Sequence, residues 1–399
     1  MSPSCVGVAP TVSPGARSGE WAAGEPRALR ASPRGDYTLV PRRLRWAPLR
    51  LFAGIIVERP TMPYFEGFDD ATRERIAQDL IAAACAEFGL RMIEAEFVAH
   101  SENVVYRVTA QRDGAFHEYA LRISGPTRYT TPQLEAECRW IAAIGRETSV
   151  AAPEPVATPD GSRVVEVAVP ELPAPRRCAM FPWLRGEKTD PPRPEHLRAL
   201  GVVTAALHNH ADTYGREAHT DRPAADWASL LAPFARGELI AAWEGYTGPV
   251  VTDEERLVYM QAAKRLGEAI GRIPTDRDHG LIHADLHLWN VVYHDGTPCP
   301  IDFDDCHFAP YMTDVATTLW HHANDPQSPA LRDAYIEGYR TTRPTPSDWE
   351  SQVAVFMAAR CFSMMDWILG WRREDHMGSG SQAASNFVPQ LRAYLDTDG

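Results

Sequence analysis

One short stretch restricts this chain more than anything else in it: His283-Ala284-Asp285-Leu286-His287-Leu288-Trp289-Asn290, followed twelve residues later by Asp302 in Ile301-Asp302-Phe303-Asp304-Asp305. Asp295-Gly296 lies between Asn290 and Asp302, where a tight hairpin needs a turn. A fold that uses this stretch must set two short strands on either side of that turn and bring Asp285, Asn290 and Asp302 together. For the same residues to be merely a polar loop, the H-x-D-x-x-x-x-N spacing, the turn and the second aspartate would have to coincide by chance.

The side chains suit phosphoryl transfer. An aspartate on a loop orients an acceptor hydroxyl and takes its proton. An asparagine five residues on holds magnesium through its carbonyl, and a second aspartate beyond the hairpin bridges that metal to the β- and γ-phosphates. Hard oxygen ligands are what magnesium requires. The chain has no Gly-x-Ser-x-Gly elbow, no Walker loop and no dinucleotide-binding glycine motif.

Around this island the patterning divides the chain. Residues 1–60 hold nine arginines and four acids, a net of +5 against −13 for the whole, which leaves −18 for the rest. Residues 1–61 are expected to be a disordered tail or a mis-assigned start, with translation from Met62; Arg-rich, acid-poor sequence also fits an organelle transit peptide. Residues 62–182 read as a small α+β lobe. A helix is expected over 70–88 and strands over 92–99, 104–109 and 116–123. A second helix has Thr131 as N-cap and Pro132 at its first position, and strands follow at 163–169 and 176–181. Residues 183–399 are mainly helical, with a Thr252–Glu255 capping box and a helix over 353–371, interrupted only by the island at 281–303.

On residues 281–316 the chain resembles the aminoglycoside phosphotransferase-like (choline kinase-like) family of small kinases. Its DLHxxN followed by IDFDD is most similar to the stress-response kinase A branch. The resemblance spans roughly residues 65–375. It implies a protein-kinase-like two-lobed α+β fold, with a small N-terminal antiparallel sheet lobe carrying one key helix and a larger, mainly helical C-terminal lobe. It implies Asp285 as catalytic base and Asn290 and Asp302 as metal ligands. His287 is expected at the γ-phosphate or in a loop hydrogen bond, Asp304 and Asp305 at the metal or acceptor or capping a turn, and Asp314 as a buttress.

The N-terminal lobe is then expected to bind the nucleotide. Ser101 sits in the phosphate loop of 99–103, which lacks the family's glycines; His100 fills one such position. Arg122 stands at the phosphate-binding lysine position, on the strand face opposite Leu121 and Ile123. Its expected partner is Glu137, with Glu135 as competitor. Met180-Phe181-Pro182-Trp183 matches the hinge, where the backbone at Met180 and Trp183 would meet adenine.

Composition excludes rather than identifies. The net charge of −13 argues against nucleic acid and suits a cationic acceptor, although solubility is the stronger explanation of it. Seven cysteines without a Cys-x-x-Cys pair point away from zinc and disulfides and toward a cytoplasmic setting. No apolar run nears the ~20 residues of a membrane span. His208 and His210 are read as closing a helix on its dipole, and His321-His322 as lacking a carboxylate or cysteine at ligand spacing. The stripe Phe356, Phe362, Met365, Trp367 and Trp371 is read mainly as core. The expected activity is ATP- and Mg2+-dependent phosphorylation of a small hydroxylated acceptor. A protein Ser/Thr acceptor and a non-catalytic nucleotide-binding pseudokinase are the alternatives.

Overall fold

The computed structural model describes residues 68–397, apart from 101, 126–127, 190, 216–220, 239–250 and 371–373. The expected tail (1–61), Ser101 and Trp371 therefore lie outside the described residues.

The smaller lobe opens with α1 (Asp70–Glu87), capped by Asp69, whose carboxylate accepts the Thr72 N–H at 2.7 Å. Then come β1 (Arg91–His100), β2 (Asn103–Arg112), β3 (Ala115–Ser124), α2 (Thr131–Glu147), β4 (Val164–Val167) and β5 (Arg176–Pro182). The five strands form one antiparallel sheet in the order β1-β2-β3-β5-β4. Asp113 and Gly114 make the β2–β3 turn with φ of 51° and 83°, the left-handed pair a two-residue hairpin requires. Strand alternation gives the sheet two apolar faces. Tyr106, Val108, Leu121, Ile123, Cys178 and Met180 pack on Ile76, Leu80 and Phe88 of α1. Ala179 and Val164 meet Leu134 and Cys138 of α2 on the other side. The cap of α2 is Thr130 rather than Thr131, because Thr130 and Gln133 form a reciprocal capping box. Pro132 then falls in the first turn, where its missing N–H costs nothing.

The larger lobe contains α3 (Pro194–Tyr214), α4 (Trp227–Ala235), α5 (Asp253–Ile270), β6 (His279–Ile282), a 3₁₀ turn (Leu288–Asn290), β7 (Val291–His294), β8 (Thr297–Pro300), β9 (His307–Pro310), α6 (Met312–Trp320), α7 (Ser328–Arg340), α8 (Trp349–Gly370) and α9 (Glu374–Leu395). Asp295 and Gly296, at φ 47° and 76°, close the β7–β8 hairpin, and β6 pairs with β9. The motif island is thus built into the lobe's centre: Leu281, Ile282, Leu286, Val291 and Phe303 pack with Leu200, Leu207, Tyr335 and Phe356. Phe234, Tyr259, Phe362 and Met365 centre a second cluster joining α4, α5, α8 and α9. Helices α3 and α7 cross backbone to backbone: a Cβ on Gly201 would strike the Tyr335 carbonyl, and one on Gly338 the Arg198 carbonyl. The fold is the expected two-lobed α+β architecture. Among the described residues no helix is long and apolar enough to cross a membrane.

Candidate active site

The loop after β6 is held from beneath by Asp314 in the first turn of α6. Its carboxylate accepts the backbone N–H of His283 at 3.0 Å and of Ala284 at 2.7 Å. Ala284 takes φ 70°, a left-handed conformation that an alanine keeps only when its surroundings fix it. Burial keeps His208 neutral; it donates to Asp314 from Nε2 at 3.3 Å and accepts the Tyr339 hydroxyl at Nδ1 at 2.9 Å. Burial works against the Asp314 carboxylate, but His208 and the loop N–H groups hold it below its ordinary value. His283 is buried too, donating to the Ile301 carbonyl at 3.0 Å and packing its ring, tilted by 41°, against Phe303.

Asp285 is thereby presented at the cleft. Its Oδ2 accepts Asn290 Nδ2 at 2.9 Å and lies 3.3 Å from His287 Nε2, while Arg360 of α8 pairs with Oδ1. Burial opposes ionisation, yet His287, Arg360 and His321 hold this carboxyl well below the usual carboxylate range. Asn290 Nδ2 also donates to the Asp285 carbonyl at 2.9 Å, so its own carbonyl oxygen faces away from Asp285. Asp302, at φ 65°, opens onto the cleft. Crowding by protein and the charges of Asp304, Asp285 and Asp305 push its carboxyl well above the ordinary range, against the pull of Arg122. Since Asp302 is exposed to cleft water, repulsion by its neighbours carries more weight than burial. Asp302 thus faces the negative charge of three neighbouring carboxyl groups. That is a position a hard divalent cation suits, and the Asn290 and Asp302 oxygens fit magnesium.

Above the cleft, Arg122 donates both arms to Glu137 at 2.6 and 2.7 Å, in a pair 5% and 0% exposed. Glu135 instead accepts the N–H groups of Arg163 and Val164 at 2.6 and 2.7 Å. Asn103 at the start of β2 reaches across to Asp304 at 2.7 Å, and Arg128 pairs with Glu102, Asp304 and Asp305. These contacts tie the tip of the small lobe to the segment behind Asp302.

The hinge follows directly from β5. Met180 buries its side chain against α1, and its carbonyl accepts Val156 N–H at 2.8 Å. Trp183 donates its N–H to Glu118 at 3.0 Å and lies under the Arg107 guanidinium. Phe181, beneath Arg122 at 5.5 Å, is the hinge side chain on the cleft face, because alternation along β5 turns Met180 the other way.

The phosphotransferase enzyme family model matches residues 94–351. The chain belongs to that family. Amicoumacin kinase of Bacillus subtilis (strain 168) is 26% identical over 262 residues, 61% of this chain and 68% of that protein. Among solved structures, a microcompartment-associated aminopropanol kinase superposes with a TM-score of 0.68 at 25% identity, covering 81% of this chain and 97% of its own. An amicoumacin kinase in complex with AMP-PNP, Ca2+ and amicoumacin shares the fold at a TM-score of 0.63 and 18% identity, covering 81% and 96%.

In this phosphotransferase the motif residues come together, but five of the side chains around them carry no motif signal. Arg128, Arg222, Arg360, Lys188 and His321 are each brought in by a tertiary crossing. Arg222 donates to the carbonyls of Asp304 and Cys306 at 2.5 and 2.7 Å, pinning the segment behind Asp302. Lys188, just past the hinge, donates to the Trp289 carbonyl at 2.6 Å; crowding at the cleft wall pushes its ammonium down to about 8. His321 does have a carboxylate within ligand reach, contrary to the reading from spacing. At the C-terminal cap of α6 its ring centroid lies 4.1 Å from that of His287, beside Asp285. His208 and His210 do not serve the helix dipole either: His208 holds Asp314, and His210 accepts Trp140 Nε1 at 3.3 Å and contacts Glu147 at 3.1 Å.

Proposed function

We propose that this phosphotransferase transfers the γ-phosphoryl group of ATP to a hydroxyl of a small-molecule acceptor, with Mg2+. The convergence of Asp285, Asn290 and Asp302 beneath the Arg122–Glu137 pair carries this reading. The names of the relatives favour a small acceptor over a protein one. The acid-rich chain favours cations in the cleft, and aminopropanol carries an amine, so amino alcohols lead the candidate acceptors.

Magnesium held by Asn290 and Asp302 would neutralise phosphate charge. Asp285 accepts a hydrogen bond from the acceptor hydroxyl and points its oxygen at the γ-phosphorus. A new P–O bond forms there as the β–γ bridging bond breaks, with its electrons leaving on ADP. The hydroxyl proton passes to Asp285 as the bond forms. Held ionised by Arg360 and His287, Asp285 is a weak base, so it orients first and takes the proton late. Arg122, fixed by Glu137, steadies the phosphates. The hinge from Met180 to Trp183 frames the adenine side, Ser101 belongs to the phosphate loop, and His287 helps set Asp285.

The test is transfer from γ-labelled ATP to amino alcohols, aminoglycosides, hydroxy acids and a generic protein, with Asp285→Asn as control. Label on one small molecule, lost in the control, is the expected result. Label on protein alone, or none anywhere despite ATP binding, overturns the reading.

A further inference from the structure

We propose that Asp285, His287 and His321 form a second divalent-cation site, suited to zinc or a similar borderline metal, whose filling blocks the acceptor side of the cleft. The three side chains come from two places, the loop after β6 and the residue following α6. Each offers a ligand atom, and these atoms lie within 4.8 Å of one another. His287 Nε2 and Asp285 Oδ2 are 3.3 Å apart. Tetrahedral zinc with bonds of roughly 2.0–2.2 Å sets its ligands about 3.4 Å from each other, so one edge is already formed. His321, with its ligand atom within 4.8 Å of the other two, closes on the metal by a side-chain rotation.

A separate observation concerns His287. The residue is only 8% exposed, and Nε2 is the ring nitrogen that faces Asp285. Its ring centroid lies 4.1 Å from that of His321, so two imidazoles and the Asp285 carboxylate crowd one pocket. Two imidazoles and a carboxylate are the donor set of zinc. They are the wrong set for magnesium, which the oxygens of Asn290 and Asp302 suit instead. The two sites differ in chemistry although they share one loop. Arg360 on Asp285 Oδ1 is the nearest opposing charge and weakens the site without occupying Oδ2.

Metal binding does not depend on the proposed function. The consequence for turnover does rest on that reading, because the metal takes the Asp285 oxygen an acceptor hydroxyl would use. Inhibition is therefore competitive with the acceptor and not with ATP.

The experiment uses the full chain, stripped with chelator, and titrates Zn2+ by calorimetry and Co2+ by visible absorption. The wild type should bind one equivalent, with Co2+ giving the intense bands of a four-coordinate ion. His321→Ala should lose at least ~10-fold in affinity, whereas His322→Ala should not. Circular dichroism confirms that both variants fold. No stoichiometric binding, or identical binding and spectrum in His321→Ala, overturns the site. Binding that is sensitive to His321 but competes with ATP, not with acceptor, overturns the blocking role and leaves the kinase reading intact.

Discussion

Replacing Asp314 with asparagine tests whether the loop geometry is imposed from beneath. The carboxylate accepts two backbone N–H groups, at 2.7 and 3.0 Å, and a His208 N–H. Asparagine keeps one acceptor oxygen and turns an NH2 group against a donor. The loss is one charge-assisted hydrogen bond, about 1.5–3 kcal/mol, within a total stability of about 5–15 kcal/mol. Urea unfolding should therefore show a folded protein weakened by about 2–3 kcal/mol. Activity should fall further. Ala284 at φ 70° relaxes once its N–H is released, and Asp285 follows it; a shift of ~1 Å there costs roughly 100-fold in kcat. A folded Asp314→Asn with wild-type kcat would refute this and leave the His283–Ile301 bond as sufficient support. The pH dependence has a definite sign. Because the folded Asp314 carboxyl lies below its ordinary value, its stabilisation is present above that value and is lost as pH falls through the folded one. The variant should lack this acid limb.

Asp302→Asn should abolish transfer, and Mg2+ with ATP should raise the melting temperature of the wild type but not of the variant, as read by differential scanning fluorimetry. Glu137→Ala leaves a buried Arg122 charge unpaired and should cost about 3–5 kcal/mol in urea unfolding, while the Arg122→Met/Glu137→Leu double variant should recover stability but not activity. Gly201→Ala forces α3 off α7 and should lose at least ~2 kcal/mol, seen as a lowered urea midpoint.

The legible part of this protein was the local part. The Asp113-Gly114 and Asp295-Gly296 turns, the alternation around Arg122 and the H-x-D-x-x-x-x-N spacing are all encoded within a few residues, and strands, hairpins and fold class follow from them. The α2 cap falls one residue before the expected Thr131, because Thr130 completes a reciprocal box with Gln133 and Pro132 still fits the first turn. What could not be read are the crossings. Nothing near Arg360 or His321 in sequence announces Asp285, 75 residues from Arg360, as a neighbour. Pleating, which a motif match along a strand does not give, turns Met180 toward α1 and leaves Phe181 on the cleft face.

The glycine crossing of α3 and α7 bears on how this enzyme would respond to directed evolution. Tyr339 sits one residue from Gly338, and through His208 and Asp314 it reaches the backbone of Ala284. Helix spacing far from the cleft therefore sets the pose of Asp285. A library that varies α8 outside Arg360 and the rim around Trp289 can change the acceptor while the chemistry survives. One that drifts at Gly201 or Gly338 loses every acceptor at once, without touching a residue that meets substrate.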